Sequence, residues 1–497
     1  MRPGVRWRLV LATFLGCGGG SGSNSTTVHA GSRLKPIAYD VGGADANFDE
    51  WMDTKLGTEC VFQTAEDGAL RCLPSMNFPL VRIAYLDGAC SIPIGITDAT
   101  CTNLPHFSIQ PGPPDACAPR QRVYGVTGPA AVPTSVFSFD IATGACAPDD
   151  AGDPALEAFV SVEAMPATAF VAASSKTRAR TPGMSAEVRE AEDGSWKITG
   201  FFDEAAGNSC WPADLKGTAS LVCLPRPAIP VGNSDSGPFS DPTCQILATE
   251  ASTCGPPPLV GLQAIPADVT ACFESNAVTV HALEDGPTTL YSGNADLCGE
   301  LPDPITLRHY RVGATLDPAS FPAVEMVPVG SGRLRATCLG SNGVPFVSQS
   351  PNPVRDGLFD YVMDTEAGEG CAIWLFADGK YRCASRSWVG LPTDIIHTYE
   401  APDCSGPELI PSAGGTACMP AAPKGALFVD THLCAWFTVV EARSVEPTPV
   451  TLTRAYLSGA PGTCYASDFD TPATFYRLGT AVSPGDVFAE VKRLPRN

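Results

Sequence analysis

Positive charge, histidine, long apolar runs and the short catalytic signatures are scarce or missing in this chain, and each gap removes a class of function. Asp and Glu number 53 against 32 Lys and Arg, a net charge of −21 over 497 residues. A phosphate-binding surface carries the opposite sign, so nucleic acid is excluded as a partner, and so is adsorption to anionic lipid. The six histidines, His29, His106, His281, His309, His397 and His432, are never closer than 28 residues, which rules out a helical metal pair or a His-Glu-x-x-His arrangement. No Gly-x-Ser-x-Gly elbow, Gly-x-Gly-x-x-Gly turn or phosphate loop occurs. Cys-x-x-Cys is also missing; the nearest cysteines of the body, Cys244 and Cys254, are ten apart, which argues against structural zinc. No cofactor and no metal are therefore expected. No stretch reaches the ~20 uncharged apolar residues that span a bilayer. What is abundant is Gly (48) and Pro (47), a composition of short strands and many turns that excludes helical bundles.

The first thirty residues have the layout of an export signal: Arg2, Arg6 and Arg8, an apolar run from Leu9 to Leu15, then Gly16 before Cys17. Phe14-Leu15-Gly16-Cys17 resembles the lipobox of bacterial lipoproteins, although Phe14 stands where that family prefers Leu. The resemblance implies removal of residues 1–16 and acylation of Cys17. Residues 17–32 then form an acylated Cys and a Gly/Ser tether, flexible enough to hold a folded body off a membrane. Gly18 is not the Asp that resembles an inner-membrane retention signal, which implies an outer-membrane anchor, on the periplasmic face or at the cell surface.

Nineteen further cysteines in an exported chain read as disulfides. Eighteen are candidates for structural bridges: Cys60, Cys72, Cys90, Cys101, Cys117, Cys146, Cys210, Cys223, Cys244, Cys254, Cys272, Cys298, Cys371, Cys383, Cys404, Cys418, Cys434 and Cys464. Cys338 is the odd one, expected buried and free. The cysteines fall in a repeating frame. Phe-Asp at Asp49, Asp203 and Asp360 precedes two cysteines 12 or 13 apart; an aromatic then precedes a Cys by five at Tyr85, Phe239 and Tyr399. Phe139 and Cys146, Tyr291 and Cys298, Tyr456 and Cys464 recur next, and each unit ends on an aromatic, a Pro and Phe170, Phe321 or Phe488. The frame predicts three units of about 155 residues, 33–186, 187–343 and 344–497.

Each unit reads as β. Cys371 to Cys383 carries an apolar run, Asp378-Gly379 and a second run, a hairpin signal repeated at Asp67-Gly68 and altered to Lys216-Gly217 in the middle unit. A two-residue turn would set Cys383 opposite Trp374 and put Cys371 out of disulfide reach, so a 371–383 bond needs a longer or bulged turn. Six cysteines in a unit allow 15 pairings, and spacing does not choose among them. In the first unit further strands are expected at 81–86, 122–126, 136–139, 156–162 and 169–173, and at 186–190 and 197–201 beyond it. The expected fold is all-β, arranged as a six-bladed propeller-like ring, or alternatively as three tandem disulfide-stapled sandwich or barrel modules. Arg33-Leu34-Lys35 resembles Arg333-Leu334-Arg335 and Lys492-Arg493-Leu494, which favours a chain that starts and stops at one phase of the repeat.

AEDGALRCLP at 65–74, Cys223-Leu224-Pro225 and the ADG and RC of the third unit resemble the cysteine-rich repeat lipoproteins of myxobacteria. The resemblance implies location and repeat architecture, and carries no activity. Repeated acids at Asp49, Asp203 and Asp360, and at Asp53 and Asp364 in the first and third units, are expected to cap turns, since a catalytic pair is needed once. The cluster at Asp149, Asp150 and Asp153 lacks the alternation of a calcium loop. The expected function is thus non-enzymatic: a membrane-anchored surface lipoprotein whose β scaffold presents loops to a glycan or protein partner. The alternative is an exported glycan hydrolase using carboxylates from different repeats.

Overall fold

A computed structural model describes residues 28–41, 48–75, 81–99, 101, 106–111, 120–140, 145–149, 157–181, 184–213, 215, 221–231, 238–252, 257–264, 278–287, 289–292, 298–301, 307–329, 332–341, 344–346, 362–385, 387–393, 397–411, 423–430, 438–458 and 463–495. The protein is all-β. Helix among the described residues is confined to Ala167–Ala169, Pro318–Ser320 and Pro484–Val487.

The strongest local rule is a pair of linked hairpins that occurs three times. Asp53, Asp203 and Asp364 each end a strand and turn it back. The carboxylate accepts the N–H groups two and three residues on, and the Asp carbonyl accepts from Gly57, Gly207 and Gly368 at 2.8 Å. Those glycines lie at φ 66°, 68° and 70°, where a Cβ is costly. The equivalent acids are therefore Asp53, Asp203 and Asp364, which corrects the alignment on Asp49, Asp203 and Asp360. The signal was turn chemistry, Asp-x-x-x-Gly, and not the preceding Phe. Arg33 holds Asp53 through Nε and Nη2 at 2.7 and 2.6 Å, and Arg333 holds Asp364 likewise at 3.0 and 2.8 Å. The Asp364 carboxyl is raised by burial but pulled further down by the Arg333 guanidinium, so it sits below its usual range.

The second hairpin of each pair carries a disulfide. Phe376 N–H bonds the Lys380 carbonyl, and Ile373 faces Cys383, so the connection is the three-residue loop 377–379 and not two residues. Gly379, at φ 77°, absorbs the extra residue, while Asp378 accepts the Lys380 N–H. Cys371 faces Ser385, two positions from Cys383, on the same face of the hairpin. The strand twist closes that diagonal to a Cα separation of 5.4 Å, and Cys371–Cys383 is bonded. Cys60–Cys72 follows the same offset across the loop 66–68, and Cys210–Cys223 does so in the middle unit; both Cα separations are 5.3 Å. The expected Lys216-Gly217 turn lies outside the described residues.

These hairpins join into one circuit. From Leu34–Asp40, antiparallel pairing runs through Phe48–Asp53, Thr58–Thr64, Leu70–Pro74, Ala172–Thr181, Met184–Ala191, Trp196–Asp203, Asn208–Ala213 and Leu221–Pro225. It continues through Ala323–Val329, Leu334–Ser341, Val362–Asp364, Glu369–Phe376, Tyr381–Ser385 and Ala489–Pro495. That last strand pairs back onto Leu34–Asp40, with Ile37 opposite Pro495 and Asp40 opposite Lys492. Fifteen antiparallel neighbours cannot alternate in direction around one wall, so the circuit is not an up-and-down barrel. The described sheets do not divide into six separate four-stranded blades, so no propeller is identified. Nor are the units self-contained tandem modules, because strands from all three share the circuit.

Between the disulfide hairpin and the returning strand, each unit makes an excursion into strands of its own. In the first, seven strands form a sheet in the order Cys146–Asp149, Val136–Phe139, Arg82–Tyr85, Pro93–Asp98, Glu157–Ala164, Gln121–Pro129 and Phe107–Pro111. In the second, five strands between Ala228 and Thr315 do the same. In the third, Trp388–Pro392, Gly425–Asp430, Thr438–Ser458 and Cys464–Ala481 pair with one another and stay attached to the large sheet through Phe376 and Val439. Each excursion opens with a loop whose cysteine is left-handed, Cys90, Cys244 and Cys404 at φ 50°, 51° and 54°. Each of these is bonded to a cysteine 54 to 60 residues on: Cys146, Cys298 and Cys464. Each ends on the Pro-Phe landmark: Phe170, Phe321 and Phe488 cap the short helical turns and release the chain into the returning strand.

A bridge stabilises by restricting the unfolded chain, more for a longer loop. Cys90–Cys146 closes 56 residues against 12 for Cys60–Cys72. Replacing both cysteines of the longer bridge by Ala is therefore expected to lower unfolding free energy by about 1 kcal/mol more than the same change at the shorter one. Denaturant titration of the two double variants measures the difference.

A candidate groove and a charged seam

The sheet of the first excursion meets the circuit along a groove of about 480 Å³. Leu56, from the Asp53 turn, forms one wall. Phe107 with His106, the Gly125–Thr127 segment, and Glu163 to Pro166 form the others. The local cause is pairing: Val126 N–H bonds the His106 carbonyl at 2.9 Å, and Met165 N–H bonds the Val123 carbonyl at 2.9 Å, so three chain segments converge on one rim. The surface offers a half-buried Phe107 ring, the Met165 and Leu56 side chains, and the Glu163 carboxylate, Thr127 hydroxyl and His106 imidazole at its exposed edge. No Ser or Cys lines it. Such a surface can hold a flat apolar face and accept hydrogen bonds from hydroxyls, and its volume lies within the ~300–1,000 Å³ of ligand sites.

A second cluster lies where the closing strand meets the first unit. Glu50 is buried, 6% exposed, and its Oε2 accepts the Ser75 hydroxyl at 2.7 Å. Glu59 lies near Glu50 and is clamped by Arg493 Nη1 and Nη2 at 2.6 and 2.7 Å. Burial raises the Glu59 carboxyl, but the Arg493 guanidinium more than offsets this and holds it below its usual range. Lys197, on Trp196–Asp203, is lowered to about 7: burial disfavours its ammonium, Arg189 repels it, and Glu50 opposes both.

The sequence-level candidates distribute as follows. Cys60, Cys72, Cys90, Cys146, Cys210, Cys223, Cys244, Cys298, Cys371, Cys383, Cys404 and Cys464 form the six described bridges, and Cys101 is disulfide-bonded as well. Cys17, Cys117, Cys254, Cys272, Cys418, Cys434 and Asp360 lie outside the described residues. Cys338 stands in Leu334–Ser341, opposite Val327. The aromatic landmarks meet as Phe239 with Tyr291 and Tyr399 with Tyr456; in the first unit Tyr85 faces Phe137 instead, and Phe139 faces Cys146. Asp149 pairs with Arg82. Among the described residues no three His, Cys, Asp or Glu side chains gather as metal ligands. Trp51 is buried, Trp374 packs partly buried against the Phe376 cluster, and Trp196 stacks on His29 beneath Arg178. Spacing offered no signal for Glu50, Glu59, Lys197 or Arg189, because their neighbours come from strands far apart in the chain.

These features define an all-β, disulfide-stapled protein, and six bridges among the described residues point to folding in an oxidising environment, in keeping with export. Over residues 9–395 the chain matches a family of unknown function (DUF7481), and it belongs to that family. No curated protein and no solved structure matches it.

The lowered Lys197 sets a pH dependence. The unfolded chain binds this proton up to about pH 10 and the folded chain only to about 7, so the penalty is absent above that window, grows as pH falls through it and is complete below. Lys197→Met should be more stable than the parent at neutral pH, with the advantage fading towards about pH 10. Urea unfolding of both proteins across this range checks the sign.

Proposed function

We propose that this protein is an exported, non-enzymatic surface lipoprotein, anchored by acylated Cys17, in which three repeat units form a scaffold for recognising glycan. The observation that carries the reading is the thrice-repeated combination of a stapled hairpin pair in a common circuit and a disulfide-locked excursion outside it. The three-unit division is supported by the matched turns, cysteine conformations and bridge offsets. A rigid frame with separately locked loops suits presentation of binding surfaces.

The groove beside Phe107 is the binding surface in this reading. A half-exposed ring gives a sugar face a platform, and Glu163, Thr127 and His106 accept from its hydroxyls. The groove carries a single carboxylate, Glu163, where a glycosidase needs a pair, which favours recognition over hydrolysis. The tether between Cys17 and the body supplies the reach from a membrane surface.

Two measurements test this. Cys17→Ser is expected to move the protein from the membrane to the soluble fraction; full membrane retention would refute the anchor. On a glycan array the full mature chain is expected to bind a saccharide that Phe107→Ala binds about tenfold more weakly. Equal binding by both proteins would remove the groove from the proposal.

A further inference from the structure

Three strands of the first excursion place a carboxylate and an aromatic ring on either side of a glycine. Gly125 faces Glu163 across one ladder and Phe107 across the other, so the three form one row over Glu157–Ala164, Gln121–Pro129 and Phe107–Pro111. Residues in direct register project from the same face of a sheet. The next row on that face, Ile109, Val123 and Met165, belongs to the apolar cluster around Phe170 and Leu73. At Gly125 the same face leaves the core and becomes a wall of the groove. The backbone does not require this glycine. It lies outside the left-handed region, and a Cβ there would meet Met165 Sδ at 3.7 Å and Cγ at 3.8 Å, which are ordinary contacts. Its missing side chain leaves a slot between Phe107 and Glu163, whose backbones stand two strand spacings, about 10 Å, apart.

Charge selects what enters. Glu163 is exposed, and its carboxylate has no ion-pair partner among the described residues. No Lys or Arg lines the groove, and the chain carries −21 overall. A uronic acid or a phosphorylated sugar would be repelled there, and a neutral sugar would leave the carboxylate without a counter-charge. A sugar with a free ammonium supplies that charge through a charge-assisted hydrogen bond while its apolar face lies on Phe107. We propose that the slot formed by Phe107, Gly125 and Glu163 selects an unacetylated amino sugar, such as a glucosamine oligomer. The proposal rests on the glycan-binding reading of this groove and names its ligand class.

The test is isothermal titration of the full mature chain, at physiological salt, with the tetramers of glucosamine, N-acetylglucosamine and galacturonic acid, and with tetralysine. The glucosamine tetramer is expected to bind about tenfold more tightly than the N-acetylated one, and Glu163→Gln to abolish that preference. Gly125→Val, which fills the slot, is expected to weaken binding of both about tenfold or more. Glu163→Gln, at an exposed position, decides the matter if Gly125→Val does not fold. A preference retained in Glu163→Gln overturns the proposal, since it would then come from the acidic chain as a whole. Tetralysine bound as tightly as the glucosamine tetramer overturns the sugar assignment, and so does tighter binding of the galacturonic acid tetramer. Equal binding of the two hexosamine tetramers, lost in Gly125→Val, overturns the amino-sugar class while the groove stands as a glycan site. Binding of none of the saccharides overturns both.

Discussion

The return of the last strand to the first is the constraint on which the architecture rests. Ala489–Pro495 pairs on one side with Tyr381–Ser385 and on the other with Leu34–Asp40, so it carries two ladders that no other strand can complete. The Arg493–Glu59 clamp spans 434 residues of sequence and holds this seam with charge-assisted bonds. Without it the circuit would expose two edges, each a row of unpaired backbone donors and acceptors. Closing so long a loop costs chain entropy, and the local staples reduce the disorder that must be lost at that step.

Those staples are cheap in sequence and stiff in space. A three-residue loop with a left-handed Gly sets a register in which two cysteines fall on one face as diagonal neighbours, and the bond then locks the register. The same loop chemistry adds an Arg–Asp pair at the tip, Arg71 with Asp67 and Arg382 with Asp378. Arg382 holds Asp378 at about 2, so that tip keeps its pair through ordinary acid conditions. One turn farther back, Arg33 and Arg333 tie the Asp53 and Asp364 turns to the carbonyls of Ala169 and Val487, which end the short helical segments. The first and third units thus share a brace joining hairpin, turn and returning strand. The middle unit keeps the turn at Asp203 but pairs Glu204 with Ser185, without an arginine clamp.

Polar chemistry gathers where the repeat is least regular. Glu50 and Glu59 have no matched pair in the other units: the bulge that places Glu50 in the first unit places Gly200 in the second. Arg189 stands where the first unit has Tyr39, which packs edge-on against Tyr381. The charged seam therefore lies where the closing strand meets the first strands of the circuit, with Arg189 and Lys197 beside it. Stability is being spent there on buried charge, and the surrounding hydrophobic clusters bear the cost.

Much of this was legible in the residues. The strands expected at 81–86, 122–126, 136–139, 156–162, 186–190 and 197–201 fall on observed strands, because alternation and turn residues act over a few neighbours, whereas the strand expected at 169–173 starts only at Ala172, after the helical turn Ala167–Ala169. All-β class, disulfide stapling and the repeating landmarks were local too. Arg33-Leu34-Lys35 and Arg333-Leu334-Arg335 do stand at one phase, but Lys492-Arg493-Leu494 lies in the returning strand and does not share it. Register, pairing partners and the seam were not readable. A one-residue change in a turn shifts every partner across a hairpin, and the Cys371–Cys383 bond came with the longer turn that it requires. The ring of strands was beyond the sequence for a different reason: which edges meet depends on the accumulated twist of many strands, and no residue records it alone. The sequence determined the elements and their staples, while only the tertiary structure decided that fifteen strands close on themselves and bring Arg189, Lys197, Glu50 and Glu59 together, because each of those contacts is made by backbone that folding carries across hundreds of residues.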